Sequence, residues 1–364
     1  MVDIEGFCDD RFDGVPETLA LSLERGADAG ASVAVYLDGQ PVVDIWGGYL
    51  DPRHGRHWER DTITNVWSTT KTMTALCALV LADRGELDLY APVATYWPEF
   101  AAAGKAGIEV RHLLSHTAGL WTWDEPLSVS DLYDWDKVTG LLARQAPAWE
   151  PGTQSGYHSL TFGYLVGEVV RRITGDTLGS FFAKELAGPL GADFHIGLSA
   201  EHDHRVASNI RVVDGEVPLN PLVKVEDSWT PQWRRAEIPA ANGHGNARSV
   251  AAIQSVLAGH GEARGVRILS EAGAARVLEE QSYGPDKRIG AVLRFGMGYA
   301  LSSPEMPLSP NARSCYWGGF GGSLVVVDLD ARVTVAYVGN RMLQDTFNGR
   351  GAAVVRAVYA ALAQ

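Results

Sequence analysis

Cysteine is nearly absent from this chain of 364 residues: Cys8, Cys77 and Cys315 are the whole complement, odd in number and far apart. No Cys-x-x-Cys pair exists, which removes the usual cysteine metal site and redox dithiol. The three are read as reduced thiols, with Cys77 in a core. Long apolar runs are missing too, and stretches such as Ala75 to Ala82 fall far short of a bilayer's thickness, so no membrane span is expected. Positive charge is scarce: 31 Lys+Arg stand against 44 Asp+Glu, a formal net charge of -13 spread along the chain. An anionic polymer is repelled on average, so nucleic acid is not an expected partner. Residues 1–14 are acidic and glycine-punctuated, without the basic start and apolar stretch of an export signal, and a cytoplasmic location is expected. Internal repeats and low-complexity tracts are absent as well.

What is present fits an ordinary soluble globular protein, with 46% hydrophobic and 21% charged residues and enough length for two cores. Residues 31–49 form two β-branched apolar runs joined at Asp38-Gly39, a strong hairpin signal. Ser323 to Asn340 repeats the pattern around Asp328 to Arg332, and the Ala/Val-rich stretch Gly351 to Leu362 reads as a helix. Both chain ends therefore look like parts of one strand-and-helix layer. Between them the signal is helical: Ser68 to Arg84 stops at Gly85 and Leu160 to Ile173 stops at Gly175, each glycine placed as a C-cap. The spacing predicts an α/β (α+β) fold with an antiparallel sheet flanked by helices. Residues 1–90 and 240–364 form its discontinuous α/β domain, and residues 91–239 an inserted helical domain. Asp214 to Ala240, with proline, tryptophan and little periodicity, reads as a loop wall.

Ser68-Thr69-Thr70-Lys71 is the chain's only Ser-x-x-Lys, set where a helix begins. One turn is 3.6 residues, so the hydroxyl and the ammonium share a face and can exchange a proton. The free N–H groups and positive dipole end of the helix favour charge developing on an attacked carbonyl. By itself the pattern also suits a capping serine with a solvated lysine. Tyr157-His158-Ser159 follows a Pro-Gly loop, and a Tyr and a Ser two apart in extended chain offer their hydroxyls to one side, or else form a core Tyr beside a cap. The run from Trp317 through Gly318, Gly319, Phe320, Gly321 and Gly322 to Ser323 enters a strand, where glycines let backbone approach a ligand closely, although a plain glycine turn reads the same way.

In this order the three motifs resemble those of the serine β-lactamase and penicillin-binding-protein superfamily, closest to class C β-lactamases and family VIII carboxylesterases. Residues 112–120, 242–248 and 318–323 resemble the same relatives, and the likeness runs from about residue 15 to the end. The resemblance implies Ser68 as nucleophile, Lys71 and Tyr157 sharing the base role, and the N–H groups of Ser68 and Phe320 as the oxyanion hole. Either Lys71 stays cationic and lowers the pKa of Tyr157, which takes the Ser68 proton, or a neutral Lys71 takes it directly. Trp317, Gly318, Gly319, Ser159, Trp121 and Trp123 are the expected substrate-binding residues, and no cofactor is implied.

One departure stands out: Trp317 and Gly318 occupy positions where penicillin-recognising enzymes usually carry Lys and Thr or Ser. Those groups help hold a substrate carboxylate, each contact to a charged group being worth about 1.5–3 kcal/mol. Their loss points to a carboxylesterase acting on a small-molecule ester, probe substrates of short acyl chain included. The alternatives are a β-lactamase, a D-amino-acid peptidase or amidase, or an acyltransferase on the same machinery, and, from another class, a catalytically silent binding module. A Gly-x-Ser-x-Gly elbow is absent, which counts against the α/β-hydrolase route. His112 and His116 sit four apart, but no Glu follows His112, so they are read as packing and hydrogen bonding beneath the site. His54, His57, His202 and His204 are read as solvated, and no metal is expected. Trp121, Trp123, Tyr133, Trp135, Trp229 and Trp233 either line an apolar pocket or pack the insertion.

Overall fold

Asp38 and Gly39 both adopt positive φ, 50° and 74°, the conformation of a two-residue hairpin turn whose twist matches its strands. This turn joins β2 (Gly30–Leu37) to β3 (Gln40–Asp51) in a computed structural model describing residues 2–364, apart from Pro52, His54, residues 213–219, Asp345, Thr346 and Asn348. With β1 (Ile4–Cys8), these strands form one side of a sheet. The other side comes from the far end of the chain: β4 (Ser282–Pro285), β5 (Val292–Phe295), β6 (Ala300–Leu301), β7 (Ser314–Gly318), β8 (Leu324–Asp328) and β9 (Val333–Gly339). The order is β1-β3-β2-β9-β8-β7-β6-β5-β4, with Arg56–His57 added on β3, and every pairing is antiparallel. The β9–β2 pairing sets Val335 opposite Val35 and so closes the two chain ends into one sheet.

Those central strands are mostly apolar on both sides because both faces are covered. Val333, Val335 and Tyr337 enter one core while Ala336 and Val338 enter the other, the period-2 alternation of a strand. On one face lie α1 (Gly14–Glu24) and α5 (Arg350–Leu362); on the opposite face α4 (Ala247–Ala258) packs against β2, β8 and β9. The larger core continues from α4 into α2 (Thr70–Asp83) and α3 (Thr161–Thr174), which pack on one another. Gly85 and Gly175 follow these two helices at φ of 74° and 78°, the left-handed cap that glycine adopts without strain. Most of the chain between residues 91 and 239 is helix, 3-10 turn and loop. Within Asp214 to Ala240, residues 214–219 lie outside the described residues, and the rest includes a 3-10 turn at Val225–Trp229 and a short helix at Pro231–Arg235. Among the described residues no helix is long and apolar enough to cross a membrane.

Candidate active site

Ser68 does not start the long helix. It sits on a 3-10 turn, Trp67–Thr69, that leads into α2, and Trp67 before it holds a left-handed φ of 50°. Such a conformation costs a non-glycine residue of order 1–3 kcal/mol and persists only where the surroundings enforce it. Here the Trp67 indole N–H donates to Asn209 Oδ1 at 3.1 Å, and its ring packs on Trp233 and edge-on against Phe320. Below the turn, the Val66 N–H donates to the Gly243 carbonyl, and the Gly243 N–H donates to Thr70 Oγ1. The turn therefore presents Ser68 from a rigid seat.

Three motifs converge on Ser68 Oγ. Lys71 Nζ lies 3.1 Å away, one turn on, and Tyr157 Oη lies 2.7 Å away from a segment 89 residues distant. The third side is the turn from β7 to β8, where Ser323 Oγ donates to the Val66 carbonyl and shares a hydrogen bond with Thr69. A Cβ on Gly319 would stand 2.2 Å from the Val66 oxygen and 3.2 Å from the Ser68 nitrogen, so only glycine lets the strand end approach this closely. Among the described residues the N–H groups of Ser68 and Phe320 donate to no protein acceptor.

Lys71 is buried, and its Nζ also meets the carbonyls of Ser159 (2.6 Å) and Ala240 (2.9 Å). Burial drives its pKa well below the ordinary lysine value. Tyr157 moves the other way: burial raises the phenol, the contacts to Ser68 and the neighbouring Trp317 indole lower it by less, and the Asp286 carboxylate raises it further. The Trp317 indole N–H is buried and meets no acceptor at normal hydrogen-bond geometry among the described residues, though its ring centroid is 5.3 Å from that of Tyr157. In the resting site both directions favour an uncharged pair, a phenol and an amine.

Of the two histidines read as support, His116 packs beneath the site, and His158, not singled out in the sequence, joins it. His116 Nδ1 accepts the His158 N–H at 3.1 Å, its ring stands edge-on to Tyr157, and His158 Nε2 accepts the Leu120 N–H at 3.1 Å. Burial lowers both imidazoles, His158 to about 4, so they are neutral at pH 7. His112 Nδ1 accepts the Glu109 N–H. His54 lies outside the described residues.

A cavity of about 330 Å³ opens above Ser68. Trp317, Gly318, Gly319, Ser159 and Trp121 line it as expected, and the Arg288 guanidinium lies 3.9 Å over the Trp121 ring. Trp123 does not line it and is corrected: it is buried, donates its indole N–H to the Val138 carbonyl, and packs edge-on against Tyr164. Trp135 and Trp233 likewise pack, with their N–H groups on Glu168 and Asn65, while Trp229 donates to the Asn209 carbonyl. Sequence reading missed Trp67, Asn209, Asp286, Ile289, Met342 and Phe347, which hold or wall the site from separate segments. Of these only Trp67, adjacent to the motif, carried a signal.

The chain is similar to known hydrolases over nearly its whole length. The family model described as Beta-lactamase matches residues 19–360. The chain is 35% identical over 362 residues to the esterase/beta-lactamase LipL of Mycobacterium tuberculosis, covering 93% of this chain and 83% of that protein. It is 30% identical to esterase EstB of Burkholderia gladioli, covering 91% of each. The crystal structure of a family VIII carboxylesterase superposes with a TM-score of 0.94 at 40% identity, over 99% of this chain and 100% of that one. With the family model spanning nearly its whole length, this chain belongs to the beta-lactamase family, a group of esterase-like and β-lactamase-like hydrolases.

Proposed function

We propose that this protein is a serine carboxylesterase that cleaves small-molecule esters of short acyl chain through an acyl-enzyme on Ser68. The observation that carries the reading is the contact of Ser68 Oγ with both Lys71 Nζ and Tyr157 Oη at the floor of a mostly apolar cavity. Three acceptors surround Nζ, which suits two protonation states. An ammonium donates to all three; an amine donates to the carbonyls of Ser159 and Ala240 and turns its lone pair to the Ser68 hydroxyl. Burial favours the amine.

In the proposed reaction Oγ bonds to the ester carbonyl carbon while its proton passes to Lys71 Nζ. The carbonyl oxygen takes the negative charge between the Ser68 and Phe320 N–H groups, a type of contact worth about 10²–10³ in rate per donor. The oxyanion then collapses, the C–O bond to the alcohol breaks, the leaving oxygen takes the Tyr157 proton, and the Lys71 ammonium, 4.8 Å from the Tyr157 ring centroid, gives its extra proton directly to the phenolate, which restores the resting amine and phenol. Water repeats the sequence to release the acid.

Trp317 and Gly318 offer no charged group for a substrate carboxylate, which supports esters over β-lactams. The test compares p-nitrophenyl acetate, butyrate and octanoate with nitrocefin and a D-alanyl amide, together with mass analysis after a phosphonate probe. The expected result is a single adduct on Ser68, absent in a folded Ser68→Ala variant, and the highest kcat/KM on the short esters. A folded Ser68→Ala variant with wild-type turnover refutes the nucleophile, and a higher kcat/KM for nitrocefin than for every ester refutes the substrate class.

A further inference from the structure

Asp286 follows β4 at the turn toward β5, and its carboxylate is 1% exposed. Oδ1 accepts three backbone N–H groups, from Tyr157 at 3.2 Å and from Arg288 and Ile289 at 2.9 Å each. The same turn is tied to the tyrosine segment a second time, by the Lys287 N–H donating to the Ser155 carbonyl. Arg288 and Ile289 wall the cavity, so a single oxygen links the wall to the segment that carries the phenol. Oδ2 is buried and has no donor among the described residues, and no Lys, Arg or His forms an ion pair with the carboxylate there.

That second oxygen is what holding the turn does not explain. An amide carbonyl would accept the same three N–H groups, and a carboxylate adds a negative charge and a buried oxygen without a donor, which costs stability. We propose that Asp286 is a positioning residue that fixes Tyr157 against the cavity wall and, by its charge, holds the Lys71–Ser68–Tyr157 group in its protonated form to higher pH. This rests on the roles proposed for those three residues. Among the described residues the charged and titratable groups around Tyr157 are Lys71 from α2, His116 and His158 beside the ring, Asp286 behind its backbone, and Arg211, Lys224 and Arg288 on the cavity wall. With both histidines neutral, Asp286 is the negative charge among them; its field opposes proton loss from the phenol, and by Coulomb's law a negative charge acts with the same sign on any proton lost from the hydrogen-bonded group. The sign therefore does not depend on which group accepts the Ser68 proton.

The experiment is the pH dependence of kcat/KM for a short p-nitrophenyl ester with wild type, Asp286→Asn and Asp286→Glu, each checked by circular dichroism and by phosphonate labelling of Ser68. Asp286→Asn keeps the acceptor and removes the charge, so its ascending limb should move ~0.5–1 unit toward acid. Asp286→Glu keeps the charge, and its limb should stay with wild type while turnover falls from misplacement. Asp286→Ser, an uncharged acceptor of smaller size, replaces the Asn variant if that one does not fold. A labelled, folded uncharged variant whose limb coincides with wild type overturns the proposal and leaves Asp286 as a turn residue only. Failure of the wild type to be labelled on Ser68 refutes the esterase reading instead, which keeps the two apart.

Discussion

The Arg350 guanidinium donates to the carbonyl of Gly321, the residue that follows Phe320 in the turn facing Ser68. Arg350 is the first residue of α5, where a cation opposes the positive end of the helix dipole, so its place is not explained by the helix. It is explained by what surrounds it. The Asp28 carboxylate receives Arg350 at 2.7 Å, the Tyr337 hydroxyl and Ser22 donate to the same carboxylate, and the two charged side chains are 6% and 0% exposed. A buried ion pair between the two chain ends thus grips the loop that carries one of the proposed oxyanion donors.

Arg350→Met leaves Asp28 buried without its counter-charge, and urea unfolding should show a loss of about 3–5 kcal/mol. In the folded fraction kcat should fall more than KM rises, because the slackened turn serves the transition state. An unchanged unfolding midpoint would show that the pair carries no stability.

Gly319→Ala tests the close approach of β7 to the nucleophile. Its new Cβ meets the Val66 carbonyl and Ser323 Oγ at 2.2 and 2.4 Å, both fixed by hydrogen bonds, so the strand end must retreat. Overpacking of this kind costs about 1–3 kcal/mol, and displacement of the Phe320 N–H should lower kcat by about 10²-fold or more. Gly107→Ala, with open space around the added carbon, is the matched control and should leave both unfolding and turnover near wild type.

Tyr157→Phe removes one oxygen and keeps the ring against Trp317 and His116. Turnover of an alkyl ester should fall by about 10²–10⁴, the size of a lost proton-transfer group. If Tyr157 supplies the proton to the leaving alcohol, a p-nitrophenyl ester, whose leaving group needs none, should lose less. Equal losses on both substrates would assign the phenol to activating Ser68, and a variant with most of its alkyl-ester turnover would remove Tyr157 from the chemistry.

The buried histidines predict how acid unfolds the protein. Burial holds His158 down to about 4 and His244 to about 3, whereas an unfolded histidine binds its proton near 6.5. Between those values the unfolded chain binds more protons, so stability rises with pH, is complete above about 6.5, and is lost as pH falls toward 4 for His158 and toward 3 for His244. From pH 6.5 to 5, above the usual carboxylate range, each should contribute a loss of roughly 1–2 kcal/mol. Urea midpoints that stay level across this interval would contradict their burial as neutral groups.

Much of the site was legible in the sequence because its motifs are local. Ser68 and Lys71 meet because a 3-10 turn and an α-helix alike bring residues three apart together, Asp38-Gly39 dictates a hairpin, and glycines at 85 and 175 end their helices for steric reasons that hold in any fold. The apolar β-branched runs near both chain ends likewise read as strands of one layer. Long-range contacts decided the rest. Trp121 and Trp123 are two residues apart and alike in sequence, yet one borders the cavity and the other packs on Tyr164, because orientation depends on neighbours from other segments. Asp286 and Arg350 look like ordinary surface charges in the sequence; only the tertiary structure brings the first 129 residues back to Tyr157 and the second 322 residues back to Asp28. Local periodicity fixed which hydroxyl and amine could meet, while burial, a property of the whole fold, decided their charge and held them in place.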